Sequence, residues 1–185
     1  DSVESVQIAP DGVVTDIYPA GGNEAGKIDL FRDKDRSKIS CYARDNHTLI
    51  TQGPFELKQS SYGFAVRNPI YLKNANGQEY FWGFTIVILR VPDIFSNSIE
   101  ALSNFGYEYR LSKKDAPWSD DYKVVYQSDG QMTAPVSYEF TIGGEKWRFE
   151  VTPKSGWRND CLIATVSGIF MAVTLLLSGL TRVWL

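Results

Sequence analysis

Histidine is nearly missing from this sequence. His47 is the only one in 185 residues, beside just two cysteines, Cys41 and Cys161. A single histidine excludes, within the chain, a Cys₂His₂ zinc site, an H-E-x-x-H helix and a His-pair relay. Cys41 lies in the polar part and Cys161 opens an apolar run, so a bridge would tie a domain surface to a membrane boundary; no disulfide is expected. P-loop, G-x-S-x-G and G-x-G-x-x-G patterns are also absent, which removes the commonest phosphate cradles and nucleophile elbows. No basic-then-apolar leader opens the chain, since DSVESVQIAP is polar. A basic excess is lacking too: residues 1–160 carry a net charge of −4. Phosphate backbones attract the opposite sign, so nucleic acid is not expected as a partner.

Charge itself is missing from Cys161 to Thr181, a run of 21 residues without Asp, Glu, Lys, Arg or His. At about 1.5 Å per residue that run crosses a hydrocarbon core of about 30 Å. Trp157 and Trp184 flank it where interfacial aromatics sit. The chain therefore reads as a soluble domain over 1–160, a transmembrane helix in contact with membrane lipid over 161–181, and the start of a cytoplasmic segment at 182–185. Without an initiating Met, and stopping three residues past Arg182, it reads as an internal piece of a longer membrane protein. The chain as a whole, 43% hydrophobic and 22% charged, has the composition of a globular domain with an appendage rather than of a disordered one.

Within 1–160 the pattern predicts strands at Gly12–Tyr18, His47–Thr51, Phe55–Gln59, Phe64–Leu72 and Glu79–Arg90. Four more follow at Tyr107–Leu111, Tyr122–Tyr126, Val136–Ile142 and Lys146–Thr152, the last two joined by Gly143-Gly144 as a hairpin. Helices are predicted over Asp33–Asp45, whose acidic start suits the helix dipole, and over Pro92–Asn104. EYFWGFTIVILR is the most β-prone run and reads as a central strand. The fold class is α+β, an antiparallel sheet flanked by helices and followed by a C-terminal transmembrane helix.

Several segments, in order, resemble a known family. GVV-x-x-IYP, GNEAGKIDL, QGPFEL, GFAVRNPIY, EYFWGF and PDIF are similar to the CHASE domain, and so is WRFEV-x-P-x-x-GW before the membrane run. The resemblance implies a PAS-like ligand-binding domain outside the membrane, extracellular or periplasmic. It implies a homodimer in the full-length receptor and a second membrane helix that passes the signal inward. The output domain would be a histidine kinase, diguanylate cyclase, cyclic-di-GMP phosphodiesterase or adenylyl cyclase. The family's first transmembrane helix and long N-terminal ectodomain helix are not in this sequence.

The resemblance also places Asp29, in KIDL, at the position of a ligand-binding aspartate, and Ile50, in TLITQGPF, at a backbone-binding position. A carboxylate there would accept N–H bonds from a purine-like or amine ligand; Asp29 also reads as a cap at a helix entry. Tyr18-Pro19 and Asn23-Glu24 match a loop that shapes the pocket wall. The residues themselves add Arg67, a lone charge in the apolar strand that holds Phe64, suited to reading a carboxylate or phosphate bidentately. Alternation puts Tyr80, Trp82 and Phe84 on one face of the next strand, with Gly83 permitting close approach. The candidate ligand-binding residues are thus Tyr18, Asp29, Ile50, Phe64, Arg67, Tyr80, Trp82 and Gly83.

Three functions compete. A sensor binds a small molecule through these residues. A membrane-tethered enzyme would have to use acidic pairs such as Asp33/Asp35 or Asp120/Asp121, which lack the spacing of a calcium loop. A passive dimerisation ectodomain would carry no ligand. No catalytic constellation is present in the sequence and no cofactor is called for. A pocket of roughly 300 Å³ over the central strands separates a sensor from a passive ectodomain.

Overall fold

The structure, a computed structural model, describes residues 2–20, 25–57, 62–158 and 160–183. Asn23-Glu24, Trp184 and the side chain of Arg182 lie outside the described residues. The chain order is β1 (Val3–Pro10), β2 (Asp16–Tyr18), α1 (Ser37–Asp45), β3 (Ile50–Glu56), β4 (Tyr62–Lys73) and β5 (Glu79–Val91). A 3-10 turn at Asp93–Phe95 leads into α2 (Ser96–Asn104). Then come β6 (Tyr107–Lys114), β7 (Tyr122–Gln127), β8 (Val136–Ile142), β9 (Glu145–Pro153) and α3 (Asp160–Val183). The antiparallel character expected from the sequence is delivered as two sheets, one ordered β2-β1-β5-β4-β3 and the other β7-β6-β9-β8.

β1 is the strand that sequence patterning overlooked, and the reason is its inverted polarity. Ser5 and Ala9 are buried, whereas Val6 and Ile8 are 45% and 39% exposed. A strand with small and polar residues inward does not alternate as a half-buried strand should. The described parts of the predicted strands His47–Thr51 and Phe55–Gln59 meet in β3 through an irregularity between Gln52 and Phe55, while positions 58–59 lie outside the described residues. α1 starts only at Ser37, because Asp33 holds a turn first: its Oδ1 accepts from the backbone N–H groups of Asp35 and Arg36 at 3.0 Å each.

One face of the first sheet carries the main core, Ala9, Leu30, Ile39, Ala43, Ile50, Phe84 and Ile86 among it. The opposite face presents Phe64 to the second sheet, where its ring meets Trp147 at 5.7 Å between centroids and Val91 and Val125 complete a smaller cluster. The β8–β9 loop is the predicted two-residue hairpin: Gly143 and Gly144 both have positive φ, 55° and 83°, as a type I′ turn requires. The hairpin tip abuts Thr48 and Leu49 at the entry to β3, so closely that a Cβ on Gly143 would lie 2.4 Å from the Leu49 side chain. Immediately after it, Glu145 reaches into the first sheet. Its Oε2 accepts from the Thr51 N–H at 2.6 Å and from the Thr51 hydroxyl, while its Oε1 meets Lys113 Nζ at 3.2 Å. Lys113 and Glu145 are 0% and 1% exposed, a buried ion pair that clamps the two sheets together.

Gly83 is fixed by packing. A Cβ there would stand 2.3 Å from the Ala9 carbonyl oxygen, on the strand that pairs with β5. Gly83→Ala is therefore expected to push β1 off β5 and cost about 1–3 kcal/mol, as overpacking does, read as an earlier urea midpoint. A substitution without effect would mean that β1 does not sit where it is described.

α3 stands apart from both sheets. Between Asp160 and Ser178 none of it is buried, with Phe170 and Leu175 72% and 67% exposed. Its 24 residues span about 36 Å, long and apolar enough to cross a membrane. Half-exposed Trp157 precedes it, its indole N–H donating to the Ala134 carbonyl at 2.9 Å.

Candidate ligand-binding site

Register defines the floor of the site. Directly opposed residues share a face, so Gln7, Ile86, Arg67 and Ile50 form one row across β1, β5, β4 and β3. The next row is Ser5, Ile88, Ala65 and Gln52. Ser5 and Ala65 are too small to fill the space above them, and a cavity of about 230 Å³ opens there. Ile28, Leu30 and Arg36 wall it from the segment before α1, and Phe55, Glu56 and Leu57 from the end of β3. At about 30 Å³ per water it has room for roughly eight waters, which suits a small metabolite. It is smaller than the pocket expected from the sequence.

Arg67 is the dominant group of this cavity. It is 2% exposed, and its Nε and Nη1 have no hydrogen-bond partner. Burial lowers its pKa to about 10, the nearby Arg36 charge adds to that effect and Asp33 opposes it. The guanidinium stays protonated at neutral pH. No carboxylate nearby is free to neutralise it, since Asp33 is engaged by its own turn and by the Arg36 guanidinium. Against the desolvation that raises it, the Asp35 N–H and the Arg36 charge hold the Asp33 carboxyl below its usual range. Gln7 Nε2 donates to Ser5 Oγ at 3.1 Å on the same floor. Gln52 Nε2 ties β3 to the segment before α1 through the Asp35 carbonyl at 2.9 Å. An unpaired buried cation is costly, and a bound anion is the ordinary way to satisfy one.

Of the residues expected from the sequence, Arg67 lines the cavity and Ile50, fully buried, lies beside it in the same row. The structure does not bring the others there. Asp29 turns its carboxylate to the backbone: Oδ1 accepts from the N–H groups of Phe31 and Arg32 at 3.0 and 3.1 Å, and Oδ2 pairs with Arg32 at 3.4 Å. It caps a turn and is not on the cavity wall. Phe64 faces the second sheet. Tyr18 is 79% exposed and Tyr80 46% exposed, away from the cavity. The expected stripe of Tyr80, Trp82 and Phe84 does not form. A bulge inserts Trp82 between Phe81, opposite Tyr71, and Gly83, opposite Ile70, and so resets the alternation. Phe81 joins Phe84 and Phe31 in the core instead. Ser5, Gln7 and Arg36 were missed; the inward polar residues of β1 were the available signal.

Two larger clefts lack a buried charge. One of about 390 Å³ lies between α1, the Gly53-Pro54 bend and the start of β7. Its Lys123 is paired to Asp115 at 2.7 Å and its Lys38 rests over the Trp118 ring at 4.4 Å. The other, of about 330 Å³ between α2 and the second sheet, has no charged residue on its wall. Among the described residues no group of three or more His, Cys, Asp or Glu is placed to hold a metal ion.

The CHASE domain profile matches residues 3–121, and the chain belongs to the CHASE domain family. No curated protein matches it. Among solved structures, an extracellular ligand binding receptor from Desulfohalobium retbaense DSM5692 superposes with a TM-score of 0.56 at 13% identity, over 82% of this chain and 30% of that one. The ligand binding domain of the Pseudomonas aeruginosa PAO1 amino acid chemoreceptor PctC, in complex with GABA, superposes with a TM-score of 0.53 at 14% identity, over 81% of this chain and 74% of that one. At these identities the likeness shows a shared fold. The chain spans less than a third of the first receptor's length.

Proposed function

We propose that this CHASE domain is the ligand-binding sensor region of a transmembrane receptor, with residues 1–160 outside the cytoplasm and a single crossing over 161–181. Its ligand is a small anion, a carboxylate or phosphate, held by Arg67. Occupancy biases two arrangements of the helix that enters the membrane, and only the difference in affinity between them signals. The receiver is a cytoplasmic output domain of the diguanylate cyclase, phosphodiesterase or histidine kinase kind, within a homodimeric receptor. The observation that carries this reading is the unpaired guanidinium buried in a cavity over the sheet. A passive ectodomain would have no use for that charge and would lose it at no cost to function.

Topology is tested on intact cells or spheroplasts. Protease added from outside should remove the domain and leave α3 protected in the membrane. A domain protected from outside, with the segment after α3 accessible there, would overturn the sensor reading. Ligand class is tested by thermal unfolding of the full chain in detergent. Short carboxylates and inorganic phosphate should raise the midpoint in proportion to the logarithm of their concentration, by about 2.7 kcal/mol of stabilisation at a hundredfold excess over Kd, while the matching amides should not. Amides that act as well as carboxylates would argue against an Arg67-centred anion site.

A further inference from the structure

The chain passes from the second sheet into α3 over a short tether. β9 ends at Pro153 and α3 begins at Asp160. A turn takes up part of that length at once, the Gly156 N–H donating to the Pro153 carbonyl at 2.9 Å. Trp157 is then pinned to the domain by its bond to Ala134, in the loop between β7 and β8. Three residues on lies Asp160, so at most about 11 Å of extended chain separates the pinned residue from the start of α3. The headgroup layer on each side of a bilayer is itself about 5–8 Å deep. With α3 in the membrane, this end of the domain therefore rests on headgroups, with no linker to hold it off. The same end carries the turn between α2 and β6. Gly106, with φ 74°, makes that turn, and its carbonyl accepts from the Lys154 N–H at 2.9 Å, which ties the turn to the tether. Beside it Phe105 is 80% exposed. At that exposure the ring does almost no packing within the domain, and a large apolar side chain held out in this way marks a contact surface.

We propose that the partner of this surface is the lipid of the same membrane: Phe105, with Trp157, lies in the interfacial layer and docks the second sheet on the bilayer. This rests on the crossing over 161–181 and extends it to the folded domain. Aromatic rings favour that layer, where one side of the ring is apolar and the other wet. Charge does not select the lipid. Lys154 lies 3.8 Å from Glu108 and Arg158 3.3 Å from Asp160, so the cations nearest the crossing already face carboxylates. A neutral phosphatidylcholine layer therefore suffices, the attachment coming from apolar burial. Held at Phe105 as well as through α3, the second sheet cannot swivel about the tether. A rearrangement of the domain is then passed to α3 instead of being lost in that swivel.

The test is a depth measurement with nitroxide labels on the full chain in phosphatidylcholine nanodiscs. Cys41→Ser and Cys161→Ser remove the native thiols, and single labels go in through Phe105→Cys, Tyr18→Cys and Leu175→Cys. Tyr18 is as exposed as Phe105 but lies on β2 in the first sheet, and Leu175 lies within α3. Collisions with oxygen, which concentrates in lipid, are compared with collisions with a nickel chelate, which stays in water. The oxygen-to-nickel ratio at Phe105 should stand several-fold above that at Tyr18 and below that at Leu175. Asn104→Cys, at the exposed last residue of α2, repeats the reading should Phe105→Cys fail to fold. A ratio at the turn equal to that at Tyr18, with Leu175 in lipid, overturns the docking and leaves the crossing standing. A label at the turn shielded from both reagents would put a protein surface over Phe105 and overturn it too. A Leu175 label open to the nickel chelate removes the crossing, and the docking falls with it.

Discussion

Glu145→Ala is expected to destabilise the protein by about 3–5 kcal/mol, the largest effect of any substitution discussed for it. Removing this carboxylate leaves Lys113, 0% exposed, with a buried charge whose remaining contact is the Lys114 carbonyl at 2.7 Å. It also strips the Thr51 N–H and hydroxyl of their acceptor in the other sheet. The gross attraction of the pair is not what is lost. The penalty comes from stranding one charge, so the double replacement Lys113→Met with Glu145→Leu should recover most of the stability. Urea denaturation of the full chain in detergent gives both numbers. A loss below about 1 kcal/mol for the single variant would mean that water reaches the pair and that the sheets are not clamped there.

Arg67→Met should do the reverse. The unliganded protein should gain about 1–3 kcal/mol, since a buried, unpaired cation gives way to an apolar chain of similar length. Anion binding should vanish at the same time. For a chain of this length each kilocalorie is worth about 2–4 °C in Tm. A variant that is both hotter and silent marks a residue kept for function against stability. If Arg67→Met instead melts earlier, the guanidinium is part of the architecture and the cavity is not its site.

These two residues also show what the sequence could reveal. Arg67 stood out as a lone charge in an apolar strand, and Ile50 only through the family resemblance; the structure sets the two opposite each other in one row. The hairpin at Gly143-Gly144 was legible from the turn chemistry alone, and α3 from its uncharged run. Lys113 and Glu145 were not, because their burial depends on a hairpin tip meeting β3 from more than 90 residues away. Asp29 fits a turn cap as well as a ligand contact by spacing, and only its bonds to Phe31 and Arg32 decide between them. Trp82 was assigned to the wrong companions because one bulged residue reverses every later side chain along a strand. β1 hid because its inward Ser5 and Gln7 line the cavity in place of core residues.

The central claim is that Arg67 holds the anion, and nitrogen NMR of the guanidinium tests it most directly. In the full chain in detergent, the Arg67 Nε–H resonance is identified by its loss in Arg67→Lys. On titration with pentanoate it should move downfield and saturate in step with the heat of binding, as a charge-assisted hydrogen bond forms at a nitrogen that previously had none. An Arg67 resonance that stays still while pentanoate binds would contradict the account.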